Sequence, residues 1–211
     1  NAIETLSRPY SLSDAGVFVS ASIGIAIYPD DSLDAEQLLR HADLAMYRAK
    51  QNGRRQYAFF EASMNDEVRR RAELATELRV ALERGQFELY YQPQLDVASG
   101  RIVGAEALIR WRHPSRGLVS PCDFVAFAES SGLIEEIGRW ALCAACSQYV
   151  AWRGEGLALE HISVNVSPRQ LNKPGFAQLV ADVLHAAGMP ESTLCLELTE
   201  SAVLDTTAAA T

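Results

Sequence analysis

The sequence predicts an α/β chain in which a largely parallel sheet with outer helices and a polar inner face forms part of a barrel, behind a smaller α/β unit. Three observations carry that prediction. Beyond Gly85, after an initial pair of strands, strand and helix patterns alternate. Those strands split into one apolar and one polar side, because successive side chains point to opposite faces. Ahead of them, a charged helical stretch separates off a segment of its own pattern, so the boundaries read as 1–62 for the first unit, 63–85 for a connecting helix and 86–211 for the barrel part.

The first residues, through Gly16, give a poor pattern. Phe18 to Tyr28 reads as a strand ended by Pro29-Asp30-Asp31. A helix is expected from about Asp34 to Gln51, where Leu38, Leu39, Ala42, Ala45, Met46 and Ala49 recur at helical spacing and Asn52-Gly53 supplies a left-handed stop. Gln56 to Phe60 is a short strand. From Ser63 to Arg84 the pattern is helical and charged, with Val68, Ala72, Leu74, Ala75, Leu78, Ala81 and Leu82 as a broken apolar stripe. Strands then fall at Phe87 to Gln92, Arg101 to Trp111, His161 to Val166 and Leu194 to Thr199, with helices at about Pro121 to Ser130, Leu133 to Arg153 and Phe176 to Ala187.

Composition excludes several classes. A net charge of -8 opposes a duplex-binding surface, which needs clustered Lys and Arg. The one basic cluster, Arg69-Arg70-Arg71, lies among Glu67, Glu73 and Glu77 and reads as exposed ion pairs. No apolar run reaches the roughly 18 residues of a membrane span, and the N-terminus lacks a secretory layout. With Cys122, Cys143, Cys146 and Cys195 read as reduced thiols, the chain is expected to be cytoplasmic. Cys143 and Cys146 sit in an uninterrupted helical pattern without a second Cys or His pair, which predicts core thiols rather than a zinc or redox site.

The chemistry-bearing residues emerge from strand parity. In Val103 to Trp111, Gly104, Glu106, Leu108 and Arg110 oppose Ala105, Ala107, Ile109 and Trp111, so a carboxylate and a guanidinium lie in what reads as a buried strand. In the later strands, His161, Ser163, Asn165 and Ser167 oppose Ile162, Val164 and Val166, while Cys195, Glu197 and Thr199 oppose Leu194, Leu196 and Leu198. One greasy and one polar face suit a barrel with a wet interior or an antiparallel sheet with a solvated side, and the long helices between strands favour the barrel. Glu106, Asn165 and Glu197 then converge as oxygen donors, a set that selects hard cations such as Mg²⁺ or Mn²⁺ over zinc. Structural alternatives stand beside each: Glu106 paired with Arg110, Asn165 capping the turn before Pro168, Glu197 bonded to Thr199.

Tyr91-Gln92-Pro93, Glu106 to Pro114, Ser163-Val164-Asn165-Val166-Ser167 and Glu197-Leu198-Thr199-Glu200 together resemble the EAL family of cyclic-di-GMP phosphodiesterases, in order and context, over about Gly85 to Asp205. The resemblance implies a modified (β/α)₈ TIM-like barrel whose first strand is antiparallel, and metal-dependent hydrolysis of cyclic di-GMP to linear pGpG with Mg²⁺ or Mn²⁺ at a two-metal site. It implies Glu106, Asn165 and Glu197 as metal ligands and Gln92, Leu108 and Arg110 as substrate contacts. Glu200 resembles a residue that steadies an active-site loop. It also allows a homodimer through the EAL part.

Ser22 to Ala26 and Ala42 to Arg54 resemble the C-terminal part of a GGDEF diguanylate cyclase domain, where the positions of Lys50 and Arg54 contact nucleotide phosphates. The Gly-Gly-Asp-Glu-Phe turn does not occur in these residues, so Lys50 and Arg54 read as a vestigial contact and no cyclase activity is expected. Nor does the family's Asp-Asp-Phe-Gly-Thr-Gly segment occur, and an eight-stranded barrel takes roughly 200 residues or more. The expectation is therefore a fragment that is inactive on its own, checked by assaying purified material for cyclic-di-GMP hydrolysis. For the complete protein the runner-up is a non-catalytic cyclic-di-GMP receptor or scaffold.

Overall fold

The computed structural model describes residues 2–6, 10–12, 15–17 and 19–198. The chain divides into two compact units, Asn1–Ala72 and Glu73–Thr211. The dividing point falls inside one continuous helix.

The first unit begins with α1 (Ala2–Leu6) and an antiparallel hairpin of β1 (Tyr10–Leu12) and β2 (Ala15–Val17). Then come β3 (Ile23–Ile25), α2 (Ala35–Gln51) and β4 (Tyr57–Phe59), with β3 and β4 parallel. The strand expected over Phe18 to Tyr28 is confined to Ile23–Ile25 among the described residues, because only those three residues find a partner in β4. The Asp34 side chain caps α2 by accepting from the backbone N–H groups of Glu36 and Gln37. Gly24 is required by packing: a Cβ there would lie 1.9 Å from the Ala42 carbonyl oxygen.

The helix α3 (Ser63–Glu83) leads into the second unit and ends at Gly85, whose φ of 62° is the left-handed conformation glycine adopts freely. The sheet of this unit is built from β5 (Phe87–Leu95), β6 (Ile102–His113), β7 (Gly117–Val119), β8 (His161–Val166) and β9 (Leu194–Leu198). Its order is β5-β6-β8-β9, with β7 paired to β6. The β5–β6 pair is antiparallel, while β6–β8 and β8–β9 are parallel, as expected for a barrel with a reversed first strand.

The helices are α4 (Val125–Ser131), α5 (Ile134–Gly154), α6 (Pro168–Leu171) and α7 (Phe176–Ala187). Of these, α4, α5 and α7 cover the apolar sheet face. Ile162, Val164 and Val166 pack with Leu142, Ala145, Cys146 and Tyr149 of α5 and Val183 and Leu184 of α7. Further along, Phe87 and Trp111 pack with Phe124, Leu133 and Ile137 and with Leu78 of α3. Tyr91 lies on this face, edge-on to Trp152 at 4.6 Å, and burial pushes its phenol up to about 12. Burial, then the neighbouring Cys143, pushes the Cys146 thiol up to about 11. Cys146 is thus a core thiol as expected, whereas Cys143 is exposed, one position past the buried stripe of α5. No described helix is long and apolar enough to cross a membrane.

Candidate functional site

Among the described residues, the opposite sheet face is polar and no helix packs on it. The registers Gln92↔Glu106, Glu106↔Ser163 and Asn165↔Glu197 bring the predicted residues onto it from four strands. Glu106 is half-buried rather than buried, because Ala105, Ala107 and Ile109 point to the other face. The Asn165 amide Nδ2 donates to Glu106 Oε1 at 2.6 Å. Arg110 is not paired with Glu106: its Nη1 donates to the Ile109 carbonyl at 2.8 Å and its guanidinium lies 5.6 Å over the Tyr90 ring. Stacking of that kind fixes the plane of the fork while leaving other N–H donors outward. Leu108 stands opposite Tyr90 in register, and Gln92 is exposed.

Beside this set lies a second polar group that the sequence reading did not single out. Gln94 Nε2 donates to Ser163 Oγ and to Glu197 Oε1, each at 3.4 Å, while His161 Nε2 is 2.7 Å from Gln94 Oε1. The turn before Pro168 is capped not by Asn165 but by Ser167, whose hydroxyl accepts from the Gln170 backbone N–H in a reciprocal capping box. Asn165 is thereby left free of a structural duty in the turn.

Among the described residues, no three His, Cys, Asp or Glu side chains gather in metal-holding geometry. Glu106 and Asn165 are in contact and Glu197 stands beside Asn165 in register, two carboxylates and an amide on one face, and turning the Asn165 amide about its last torsion would present Oδ1 in place of the NH₂ group. That gives an all-oxygen set on partly exposed side chains, which fits a hard divalent cation. Lys50 and Arg54 are exposed residues of the first unit, at the C-terminal end of α2 and just beyond it. Glu200, together with Thr199, lies outside the described residues.

Residues 75–211 match the family described as EAL domain, and residues 1–56 the family described as diguanylate cyclase, GGDEF domain. Over 202 residues the chain is 43% identical to the bifunctional diguanylate cyclase/cyclic di-GMP phosphodiesterase MucR of Pseudomonas aeruginosa, covering 96% of this chain and 30% of that protein. It is 38% identical to the cyclic di-GMP phosphodiesterase PdeR of Escherichia coli over 200 residues, 95% of this chain and 30% of the other. The solved structure of the PaMucR phosphodiesterase in complex with c-di-GMP superposes with a TM-score of 0.62 at 41% identity, covering 65% of this chain and 56% of that one. The chain therefore spans about a third or less of the curated relatives it matches.

Proposed function

We propose, from the premise that this chain belongs to the EAL domain family and carries the end of a GGDEF domain ahead of it, that its whole protein hydrolyses cyclic di-GMP to linear pGpG with Mg²⁺ or Mn²⁺. The observation that supports this reading is the placement of Glu106, Asn165 and Glu197 on one polar sheet face, with Asn165 hydrogen-bonded to Glu106 at 2.6 Å and opposite Glu197 in register. The substrate comes from the relatives: MucR and PdeR are both described as cyclic di-GMP phosphodiesterases.

In this reading Glu106, Asn165 and Glu197 hold the cations. When bound, they would supply Lewis-acid polarisation of the phosphodiester and activation of the attacking water. The residues of the chain do the rest. Arg110, its plane set by Tyr90, offers a planar fork to phosphate oxygens. Gln92 contacts the dinucleotide with its exposed amide, and Leu108 supplies apolar surface for a base. Glu200 steadies an active-site loop. Lys50 and Arg54 are a vestigial nucleotide contact at the cationic end of α2. The protein works in the cytoplasm and pairs as a homodimer through its EAL part.

The test is Glu106→Gln in the full-length protein, with pGpG formation followed chromatographically under Mg²⁺ or Mn²⁺. Turnover should fall at least about a hundredfold, since removing even an outer partner of a metal ligand costs 10- to 100-fold. Undiminished turnover would sink the reading. A wild-type protein that binds cyclic di-GMP yet forms no pGpG would identify a receptor instead.

A further inference from the structure

We propose that Gln94 is a positioning residue for Glu197, its amide held in a single orientation by His161. The inference rests on the reading of Glu197 as a metal ligand and extends it to residues to which no role has been given.

Gln94 faces Gly104 across the β5–β6 pair, and Gly104 faces His161 across the β6–β8 pair. With no side chain between them, Gln94 reaches over β6 to β8 and β9. A Cβ at position 104 would lie 2.5 Å from His161 Nε2 and 2.8 Å from Gln94 Oε1. Gly104 is not among the glycines with positive φ, so space rather than backbone freedom requires a glycine there. The register also shifts between Gln94 and Leu95, where Gln94 opposes Gly104 but Leu95 opposes Ile102. Such a bulge re-aims the side chain beside it.

The hydrogen-bond roles follow by elimination. At 2.7 Å, an amide Oε1 against an imidazole Nε2 requires the hydrogen to sit on the histidine. That leaves the Gln94 NH₂ group to serve Ser163 Oγ and Glu197 Oε1, both at 3.4 Å. The opposite amide orientation would set the amide oxygen against the Glu197 carboxylate oxygen, two acceptors with no hydrogen between them. His161 thus selects the donor end of Gln94 for Glu197, and one carboxylate oxygen is steadied while the other is left for a further partner.

The experiment measures Mn²⁺ affinity of the full-length protein without nucleotide, from the electron paramagnetic resonance signal of free Mn²⁺, alongside thermal midpoints. Gln94→Leu is expected to weaken Mn²⁺ binding about tenfold with an unchanged midpoint, and Gln94→Met, which keeps the length of the side chain, to do the same. His161→Leu should weaken it less, and should add nothing in the Gln94→Leu background, because it acts only through that amide. Glu197→Gln is the reference. If it weakens Mn²⁺ binding while both Gln94 variants stay within twofold of wild type, the positioning role is overturned and the metal site stands. If Glu197→Gln itself leaves the affinity unchanged, the site reading falls, and this inference with it.

Discussion

The two faces of the β5-β6-β8-β9 sheet carry residues from the same strands in strict alternation, yet they are built by opposite rules. On one face Ala107, Trp111, Ile162, Val164 and Val166 are nearly or fully buried under helices, and shape complementarity fixes them. On the other, Glu106, Arg110, Asn165 and Glu197 stay partly in water and are fixed by hydrogen bonds and stacking that reach from strand to strand. The first face contributes stability and tolerates no loss of volume. The second contributes little, and its polar groups are stable in place because solvent and neighbours satisfy them. Substitution of a partly exposed side chain on the second face should therefore separate activity from stability, which substitution on the first face should not.

Four changes in the full-length protein would break or sharpen that contrast. Trp111→Ala, on the apolar face, should cost about 3–5 kcal/mol and abolish the cooperative melting of the EAL part in calorimetry. Gly104→Ala stands on the polar face but crowds His161 and Gln94, so it should cost about 1–3 kcal/mol and weaken activity together with stability, seen by parallel melting and turnover assays. A third change is in pH. Tyr91 and Cys146 have raised folded-state values, about 12 and about 11 against ordinary values of 10.0 and 9.0, so their contribution is complete below pH 9.0 and is lost as pH climbs through 11 and 12. Tyr91→Phe should flatten the upper part of that alkaline loss in midpoints recorded against pH. Asn165→Ala should have the smallest effect on stability, within about 0.5 kcal/mol, and still lower pGpG formation at least about a hundredfold. Equal stability losses for Trp111→Ala and Asn165→Ala would erase the distinction between the faces.

Parity was legible in the sequence because the alternation of side chains along a strand is geometric and needs no tertiary information. It placed Glu106, Asn165 and Glu197 together before any pairing was known. What it could not supply was the extent of each strand. Pro93 marks a strand end by propensity, so β5 reads only to Gln92; as the end strand of the described sheet, β5 accommodates a residue without an N–H and continues to Leu95. Gln94 was missed for that reason, and with it the contact to His161. The three residues of β7 were missed because their partner, β6, rather than their own composition makes them a strand. By contrast, α6 could have been found: Ser167 followed three residues later by Gln170, with Pro168 between, is the signature of a helix start. Exposure of Cys143 beside buried Cys146 depended on where the edge of the α5 stripe fell, which periodicity gives only to within a residue.

The reversed direction of β5 has a consequence for the order of assembly. The β5–β6 connection is a short turn, closed by the Asp96 N–H donating to the Arg101 carbonyl at 2.9 Å and by the Ser99 hydrogen bonds to Asp96. Glu106 and Asn165, in contrast, are 59 residues apart in sequence. Loop-closure entropy makes the hairpin the early event and the β6–β8 pairing the late one. Pulsed hydrogen exchange should accordingly protect the amides of β5 and β6 before those of β8. Gln92, Gln94, Glu106 and Arg110 would then wait on a formed ribbon until His161, Asn165 and Glu197 arrive, so on the proposed reading no cation could be held before β8 and β9 had joined that ribbon.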